Sequence, residues 1–169
     1  MARRSQTKLF NVRGSAIAVS GDMSGALQNW AKKIQDQATR PASRAGALVF
    51  YHEMRQKVPV GETQNLYNSI YHAYSPEKSI NGKQVYHIGP NKTKAPHWWL
   101  VENGHWRVNV VLRVNGRWLA TKERLPAPVW VGPTPYIAPT FDGKVRESIA
   151  AMRTRLKEKI TEINNSTAL

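Results

Sequence analysis

Apolar residues recur at helical spacing near the beginning of the chain. Met23, Leu27, Trp30 and Ile34 are separated by four, three and four residues, which places them along one side of a helix. Asp22 directly precedes this series, and aspartate is a favoured residue for capping a helix N-terminus. The pattern predicts a helix that starts next to Asp22 and buries this apolar side, named here the N-terminal stripe.

A second helical region is predicted over residues 42–57. Thr39-Arg40-Pro41 interrupts the pattern, because proline is tolerated in a first helical turn but not in a helix interior. The sequence allows either a separate helix or one kinked helix, which ends at Val58-Pro59. The residues predicted to face inward are Ala45, Leu48, Val49 and His52, with His52 as a packed core histidine rather than a ligand.

The most regular apolar spacing lies near the end of the chain. It predicts an amphipathic helix whose inward side, the C-terminal stripe, consists of Phe141, Val145, Ile149, Met152, Leu156, Ile160 and Ile163. Leu156 is expected to be buried, so that Leu156→Ala would cost about 2–5 kcal/mol. Residues 164–169 are polar and are expected to fray.

Strand-like segments separate these helices. Residues 67–74 are rich in aromatic and β-branched residues, residues 84–88 could pair with them, and Asn81-Gly82 between them suits a tight turn. A second hairpin is predicted over residues 106–120 around Asn115-Gly116. The element order predicts an α+β fold, with a sheet of at least three antiparallel strands packed against the N-terminal helical region and the long C-terminal helix.

The second hairpin is predicted to take part in assembly. Val108, Val110 and Leu112 share one parity, so one face of the ribbon is apolar and needs a cover. That cover could come from the core of the same subunit or from a neighbouring subunit, and we favour the neighbour. The candidate interface residues are Trp106, Val108, Val110, Leu112 and Trp118.

Composition adds a strong positive charge and excludes disulfide chemistry. The 169 residues carry a formal charge of +14 and contain no cysteine, and no apolar run is long enough for a membrane span. We predict one α+β domain over residues 21–163, with a hairpin extension at about 105–130, preceded by a basic arm over residues 1–20 that has no fold of its own and at most one short strand. Its candidate contacts with a partner or with DNA are Arg3, Arg4, Lys8 and Arg13.

The positive charge is spread along the chain without a run of five or more Lys and Arg residues. This favours a diffuse positive field over a dedicated nucleic-acid patch, although a nonspecific nucleic-acid-binding module remains an alternative. Any DNA contact is expected to be independent of base sequence and sensitive to salt.

No catalytic, cofactor-binding or metal-binding pattern stands out. His97, Glu102 and His105 are close in sequence, but their spacing differs from the two histidines four residues apart of a zinc helix. Three tryptophans within nine residues indicate packing or an interface instead. We therefore expect no enzyme, metal or cofactor, with a small hydrolase or nuclease as the less favoured alternative.

Three segments carry a resemblance to a known family. They are residues 58–70 (VPVGETQNLYNSI), 98–104 (WWLVENG) and 133–142 (PTPYIAPTFD). In their order and spacing they resemble the tail-completion, or minor tail, proteins of long-tailed bacteriophages. Residues 63–64 are Thr-Gln where that family has Thr-Gly, with one extra residue before the threonine. The positions that match the family pattern are Pro59, Thr63, Leu66, Ser69, Ile70, Glu102, Gly104, Pro133, Pro135, Tyr136, Pro139 and Phe141.

The resemblance implies a structural role in the virion. Proteins of this kind join head and tail at the neck, so the expected assembly is a homo-oligomeric ring, a hexamer, between the head connector or stopper and the tail tube, through which DNA passes. A tail-terminator ring is the closest alternative. The implied location is the virion, after assembly in the host cytoplasm.

Overall fold

The computed structural model describes residues 8–12, 15–19, 21–80 and 82–167, and their architecture is α+β, as predicted. The strands are β1 Lys8–Val12, β2 Ser15–Val19, β3 Ile70–Tyr74, β4 Tyr86–Pro90, β5 His105–Val114 and β6 Arg117–Val131. The helices are α1 Met23–Gln37, α2 Thr39–Lys57, α3 Asn65–Ser69, α4 Trp98–Asn103 and α5 Ile137–Thr167, with a short 3₁₀ turn at Pro76–Lys78.

A side-chain cap marks the start of α1, whereas α2 follows Ala38 without one. The Asp22 carboxylate accepts a hydrogen bond of 2.9 Å from the Gly25 backbone N–H, which confirms the predicted cap of α1. Ala38 ends α1, precedes α2 and is fully buried. Because Pro41 lies in the first turn of α2, it does not break that helix, and α2 starts at Thr39 rather than at the predicted residue 42.

Close contact between α2 and α5 organises the domain. Ser148 is buried and donates a hydrogen bond of 3.1 Å from its Oγ to the Gly46 carbonyl oxygen. Since Gly46 has no side chain, the two helix backbones can approach each other, and small residues fill the contact. The inward side of α2 is therefore formed by Ala42, Gly46, Ala47 and Met54. The predicted inward residues Ala45, Leu48 and Val49 are only half-buried, and His52 is exposed, so its assignment to the core was wrong.

The C-terminal stripe is only partly buried. Thr140, Ser148 and Ile163 are the buried residues of α5, whereas Phe141 and Ile149 are exposed. Leu156 is half-buried, so its truncation should cost less than the sequence predicted. The contact with Gly46 is made by Ser148 and Met152, so the predicted stripe is only partly the side of α5 that faces α2. The helix continues to Thr167, and the fraying expected for residues 164–169 stays a prediction.

The N-terminal stripe is not part of the core. Leu27 and Trp30 are exposed, and Ile34 is half-buried. The Trp30 indole N–H donates a hydrogen bond of 2.8 Å to the Asn164 side chain on α5. The prediction that the sheet packs against this stripe is wrong for the single chain, because the main contacts of α1 are with α2 and α5, while β3 and β4 pack against α2.

The strands form three separate two-stranded sheets, β1–β2, β3–β4 and β5–β6, so the predicted sheet of three or more strands does not occur within the described ranges. Residues 67–69, predicted as strand, belong to α3, where the Ser69 hydroxyl donates to the Leu66 carbonyl oxygen at 2.7 Å and stabilises a helical turn. Strand β4 nevertheless pairs antiparallel with β3.

The two predicted turns have different outcomes. Asn115 and Gly116 both adopt positive φ, 51° and 80°, which confirms the tight turn between β5 and β6. Between β3 and β4 the chain instead passes through the 3₁₀ turn, and Gly82 has a φ of 77°; Asn81 lies outside the described residues. The Lys83 backbone N–H donates a hydrogen bond of 3.0 Å to the Ile80 carbonyl oxygen, so the chain turns tightly there as predicted. The turn does not make a tight hairpin, because the pairing of β3 with β4 stops at Tyr74 opposite Tyr86.

The basic arm contains more regular backbone than expected. β1 pairs antiparallel with β2, from Lys8 opposite Val19 to Val12 opposite Ser15, so a hairpin replaces the single predicted strand. Arg3, Arg4 and Arg13 lie outside the described residues. Ordering of the arm against a neighbouring subunit stays a prediction.

Candidate assembly interface

A carboxylate from α4 caps the start of α5. Glu102 accepts hydrogen bonds from three consecutive backbone N–H groups, those of Tyr136 at 2.9 Å, Ile137 at 3.1 Å and Ala138 at 3.2 Å. The first backbone N–H groups of a helix have no partner within the helix, and the helix dipole favours a negative charge beside them. Glu102 therefore joins the second and third family-like segments in one structural unit.

The same place is the root of the β5–β6 hairpin. Gly104 has a φ of 74°, and a Cβ there would lie 2.8 Å from both the Trp130 ring and the Val131 carbonyl oxygen. The backbone N–H of Thr134 donates a hydrogen bond of 2.8 Å to the Val101 carbonyl oxygen. Glycine at position 104 thus allows β5 to leave α4 directly beside the returning end of β6.

The hairpin extends from this root as a two-stranded ribbon that packs mainly on itself. Neither β5 nor β6 packs extensively against another element of the described chain. The Arg113 guanidinium forms an ion pair of 3.1 Å with Glu62, and both side chains are exposed. Exposed ion pairs contribute only about 0–1 kcal/mol, so this contact does not hold the ribbon firmly against the domain.

Large apolar side chains of the ribbon face solvent. Trp106 is 61% exposed and Trp118 is 64% exposed, and Val108 and Leu112 are exposed as well. Val110 is half-buried, and its carbonyl oxygen accepts a hydrogen bond from the Thr121 hydroxyl at 2.9 Å. Of the five predicted interface residues, four are therefore available for contact with another molecule.

The pairing of β5 with β6 is irregular. The register shifts between the pairs made by Arg107, Asn109 and Val111, so β6 carries extra residues opposite β5. Bulges of this kind bend a ribbon and break the strict alternation of its faces. The exposed apolar surface also includes residues of β6, a strand to which the parity argument was not applied, namely Leu119, Val129, Trp130 and Val131.

An apolar hollow lies on this ribbon. Trp106, Val108 and Pro128 line a depression of about 430 Å³, and the Trp106 and Trp130 rings pack with their centroids 5.3 Å apart. Aromatic side chains around an apolar pocket are typical of the residues that dominate the energy of protein interfaces. The hollow is therefore a candidate docking point on the hairpin.

Several other family-like positions lie in the buried core beside the root of the β5–β6 hairpin. Leu66, Ile70 and Tyr136 belong to one buried cluster with Met54, Val58 and Ala95. Ser69 is buried. Pro59 and Pro139 are half-buried, Thr63, Pro133 and Pro135 are exposed, and Phe141 is exposed but stacks on Phe50. The segments thus converge on one face of the core.

Gln64 occupies the position at which the family pattern has glycine. It adopts a left-handed backbone conformation with φ of 53° and ψ of 14°, immediately before α3. Glycine takes this conformation without steric cost, whereas a residue with a Cβ does not. The departure from the pattern therefore leaves a glycine-like turn in place.

No group of three or more His, Asp and Glu side chains in the described ranges is arranged to hold a metal ion. His97 precedes α4, and His105 begins β5. Among the helices that the structure describes, none is both long enough and apolar enough to cross a membrane.

Comparisons with protein-family models, with curated proteins and with solved structures found no significant match to this chain. The family resemblance therefore stays a prediction based on three short segments. The capping role of Glu102 was missed from sequence, although one signal was present. The residue directly before Tyr136-Ile137 is Pro135, which has no side chain that can cap a helix, so the cap of this helix had to come from elsewhere in the chain.

Proposed function

We propose that this protein is a structural subunit of a bacteriophage neck, which forms a ring between the head connector and the tail tube. The observation that carries the proposal is the β5–β6 hairpin, a ribbon with exposed tryptophans that its own domain does not cover. A two-stranded ribbon is only marginally stable alone in water, so contact with another protein would stabilise it.

The unpaired edges and apolar surface of the ribbon favour contact with a copy of the same chain. Strand edges carry free backbone donors and acceptors that can pair with a neighbouring chain. A contact between two different surfaces of identical subunits runs head to tail and closes into a ring when the rotation allows it. The exposed N-terminal stripe on α1, with Leu27 and Trp30, offers a second apolar surface for such a contact.

The three family-like segments support the same role. They meet at the root of the ribbon, where Glu102 and Gly104 determine how α4, β5 and α5 are joined. A rigid root would hold the ribbon in a defined direction, as a subunit interface requires. The expected ring size is six, and the expected axial partners are the connector or stopper and the tail tube.

The test is a double variant, Val108→Asp with Leu112→Asp. Two charges on exposed apolar positions of the ribbon should leave the subunit folded, because neither residue belongs to the core. We expect the wild-type protein to form rings in light scattering and electron microscopy, alone or on purified tails, and the double variant to remain monomeric and fail to join particles.

A matched control is Val60→Asp with Ile80→Asp. These residues are at least as exposed as Val108 and Leu112, but they belong to loops and not to the ribbon. The control adds the same charge and should assemble like the wild type. Full assembly of the ribbon variant, or a wild-type protein that neither self-associates nor binds tails, would overturn the proposal.

A further inference from the structure

A basic cleft lies on the side of the domain formed by α2, α5 and the β3–β4 sheet. Its volume is about 710 Å³, and it opens to solvent. The walls carry Arg40 and Arg44 from α2 and Arg155 and Lys159 from α5. Each pair is four residues apart and so lies on one side of its helix. The folded chain thus gathers cations that are far apart in sequence.

The two walls differ in their ion pairing. Arg155 donates to Glu158 at 2.6 Å, and Lys159 contacts Glu162, so the α5 wall is partly neutralised. On the α2 wall, neither Arg40 nor Arg44 forms an ion pair with a carboxylate of the described chain. These two arginines are therefore the cations most available to an anionic ligand.

Aromatic rings form the floor of the cleft. Tyr74 and Tyr86 are directly opposite each other in the β3–β4 pair, with ring centroids 5.3 Å apart, and His72 lies on the same strand as Tyr74. The Arg40 guanidinium packs over the Tyr74 ring at 4.2 Å. This packing restricts the arginine before a ligand arrives, which lowers the entropy lost on binding.

We propose that this cleft binds a single-stranded segment of nucleic acid, with phosphates against Arg40 and Arg44 and a base against the tyrosine floor. Cations combined with aromatic stacking surfaces are the usual means of binding single strands without base specificity. A volume of about 710 Å³ is that of a small-ligand site and does not admit a duplex. An acidic peptide would use the cations but would leave the rings without a partner. The inference does not depend on ring formation.

The experiment measures binding of a fluorescent oligothymidylate of about twelve nucleotides to the full chain by anisotropy, over a range of salt concentrations. Arg40→Ala with Arg44→Ala should weaken binding and reduce the slope of log affinity against log salt by about 1.4, since each lost phosphate contact of a single strand removes roughly 0.7. The matched control is Arg146→Ala with Arg153→Ala, which removes the same charge from exposed positions of α5 outside the cleft. It should leave the slope nearly unchanged.

A second pair of variants tests the aromatic floor. Tyr86→Leu should weaken binding by roughly tenfold, whereas Tyr86→Phe should retain it, because stacking needs the ring and not the hydroxyl. Tyr71→Leu, on the same sheet but outside the cleft, is the control. Equal losses in both arginine pairs would show a diffuse charge effect and overturn the proposal. Equal binding of a duplex, or equal competition by polyglutamate, would overturn it as well.

Discussion

The carboxylate of Glu102 accepts a hydrogen bond of 2.9 Å from the backbone N–H of Tyr136, across 34 residues of the chain. This contact joins the end of one family-like segment to the start of another. It also determines where α5, the longest helix, begins relative to the root of the β5–β6 hairpin. Glu102 therefore contributes both to the stability of the domain and to the orientation of the proposed interface.

Removing this cap should destabilise the domain. Glu102→Ala leaves three backbone N–H groups without their carboxylate and should lower the free energy of unfolding by about 2–3 kcal/mol, while Glu102→Gln retains one acceptor oxygen and should cost about 1 kcal/mol. Urea unfolding checks both values. The exposed Glu77→Gln variant is the control and should resemble the wild type. Equal stability of Glu102→Gln and Glu77→Gln would contradict the capping role.

Replacing Gln64 with glycine should stabilise the protein. Its backbone has a φ of 53°, a conformation that costs a residue with a Cβ roughly 1 kcal/mol and costs glycine little. We expect Gln64→Gly to raise the free energy of unfolding by up to about 1 kcal/mol, as measured by urea or thermal unfolding. Gln64→Ala keeps the Cβ and should show no gain. A gain of the same size in both variants would point to the side chain instead of the backbone.

Two glycines in helices should respond in opposite directions to alanine. A Cβ on Gly46 would lie 2.6 Å from Met152 Cγ and 2.8 Å from Ser148 Oγ, so Gly46→Ala should force α2 and α5 apart and cost about 1–3 kcal/mol. Gly143 on α5 has only Lys57 Nζ within reach, at 3.6 Å. Gly143→Ala should therefore gain up to about 1 kcal/mol from helix propensity. If thermal unfolding gave both substitutions the same sign, close packing at Gly46 would be refuted.

Tyr136 should make the protein less stable in alkaline solution. Burial, with a smaller contribution from the negative charge of Glu102, raises the pKa of Tyr136 from 10.0 to about 12. Because the folded state holds the phenolic proton more tightly, the stabilisation is complete below pH 10 and is lost as the pH rises from about 10 through 12. Unfolding of wild type and Tyr136→Phe between these pH values should therefore diverge, with the variant retaining more stability.

The same substitution should be tolerated at neutral pH. The Tyr136 hydroxyl is buried and has no hydrogen-bond partner among the described residues, so its removal should leave stability unchanged or raise it by up to about 1 kcal/mol. The family pattern has phenylalanine at this position. Tyr71→Phe removes an exposed phenol and serves as the control. A loss of stability in Tyr136→Phe at pH 7 would show that the hydroxyl has a partner, and parallel pH curves for the two variants would show that the folded state does not raise the pKa of Tyr136.

Local patterns in the sequence were sufficient for part of the fold. The cap at Asp22, the turn at Asn115-Gly116 and the long C-terminal helix depend on interactions within a few residues, so periodicity and turn chemistry predicted them correctly. Pairing of β3 with β4 was also predicted, from two strand-like segments with the turn-forming Asn81-Gly82 between them. The helical turn at α3 was missed because the predicted strand, residues 67–74, is rich in aromatic residues, whereas the hydrogen bond from Ser69 to Leu66 closes a helical turn.

Which side of each helix is buried was decided by the tertiary structure. Apolar spacing identified Leu27, Trp30, Phe141 and Ile149 as inward residues, yet all four are exposed. The position of α5 on α2 depends on Gly46, where an added Cβ would collide with Met152 and Ser148, and a periodic pattern does not contain that information.

The candidate interface and the basic cleft were also predicted only in part from the sequence. The sequence by itself determined an α+β chain with a hairpin of apolar residues, a basic surface and a long terminal helix, since these follow from side-chain chemistry and short-range spacing. Only the tertiary structure decided that Glu102 caps α5, that Arg40, Arg44, Arg155 and Lys159 meet in one cleft, and that the ribbon lies outside the core. Each of these depends on contacts between residues far apart in the chain, whose geometry is determined by how the elements pack.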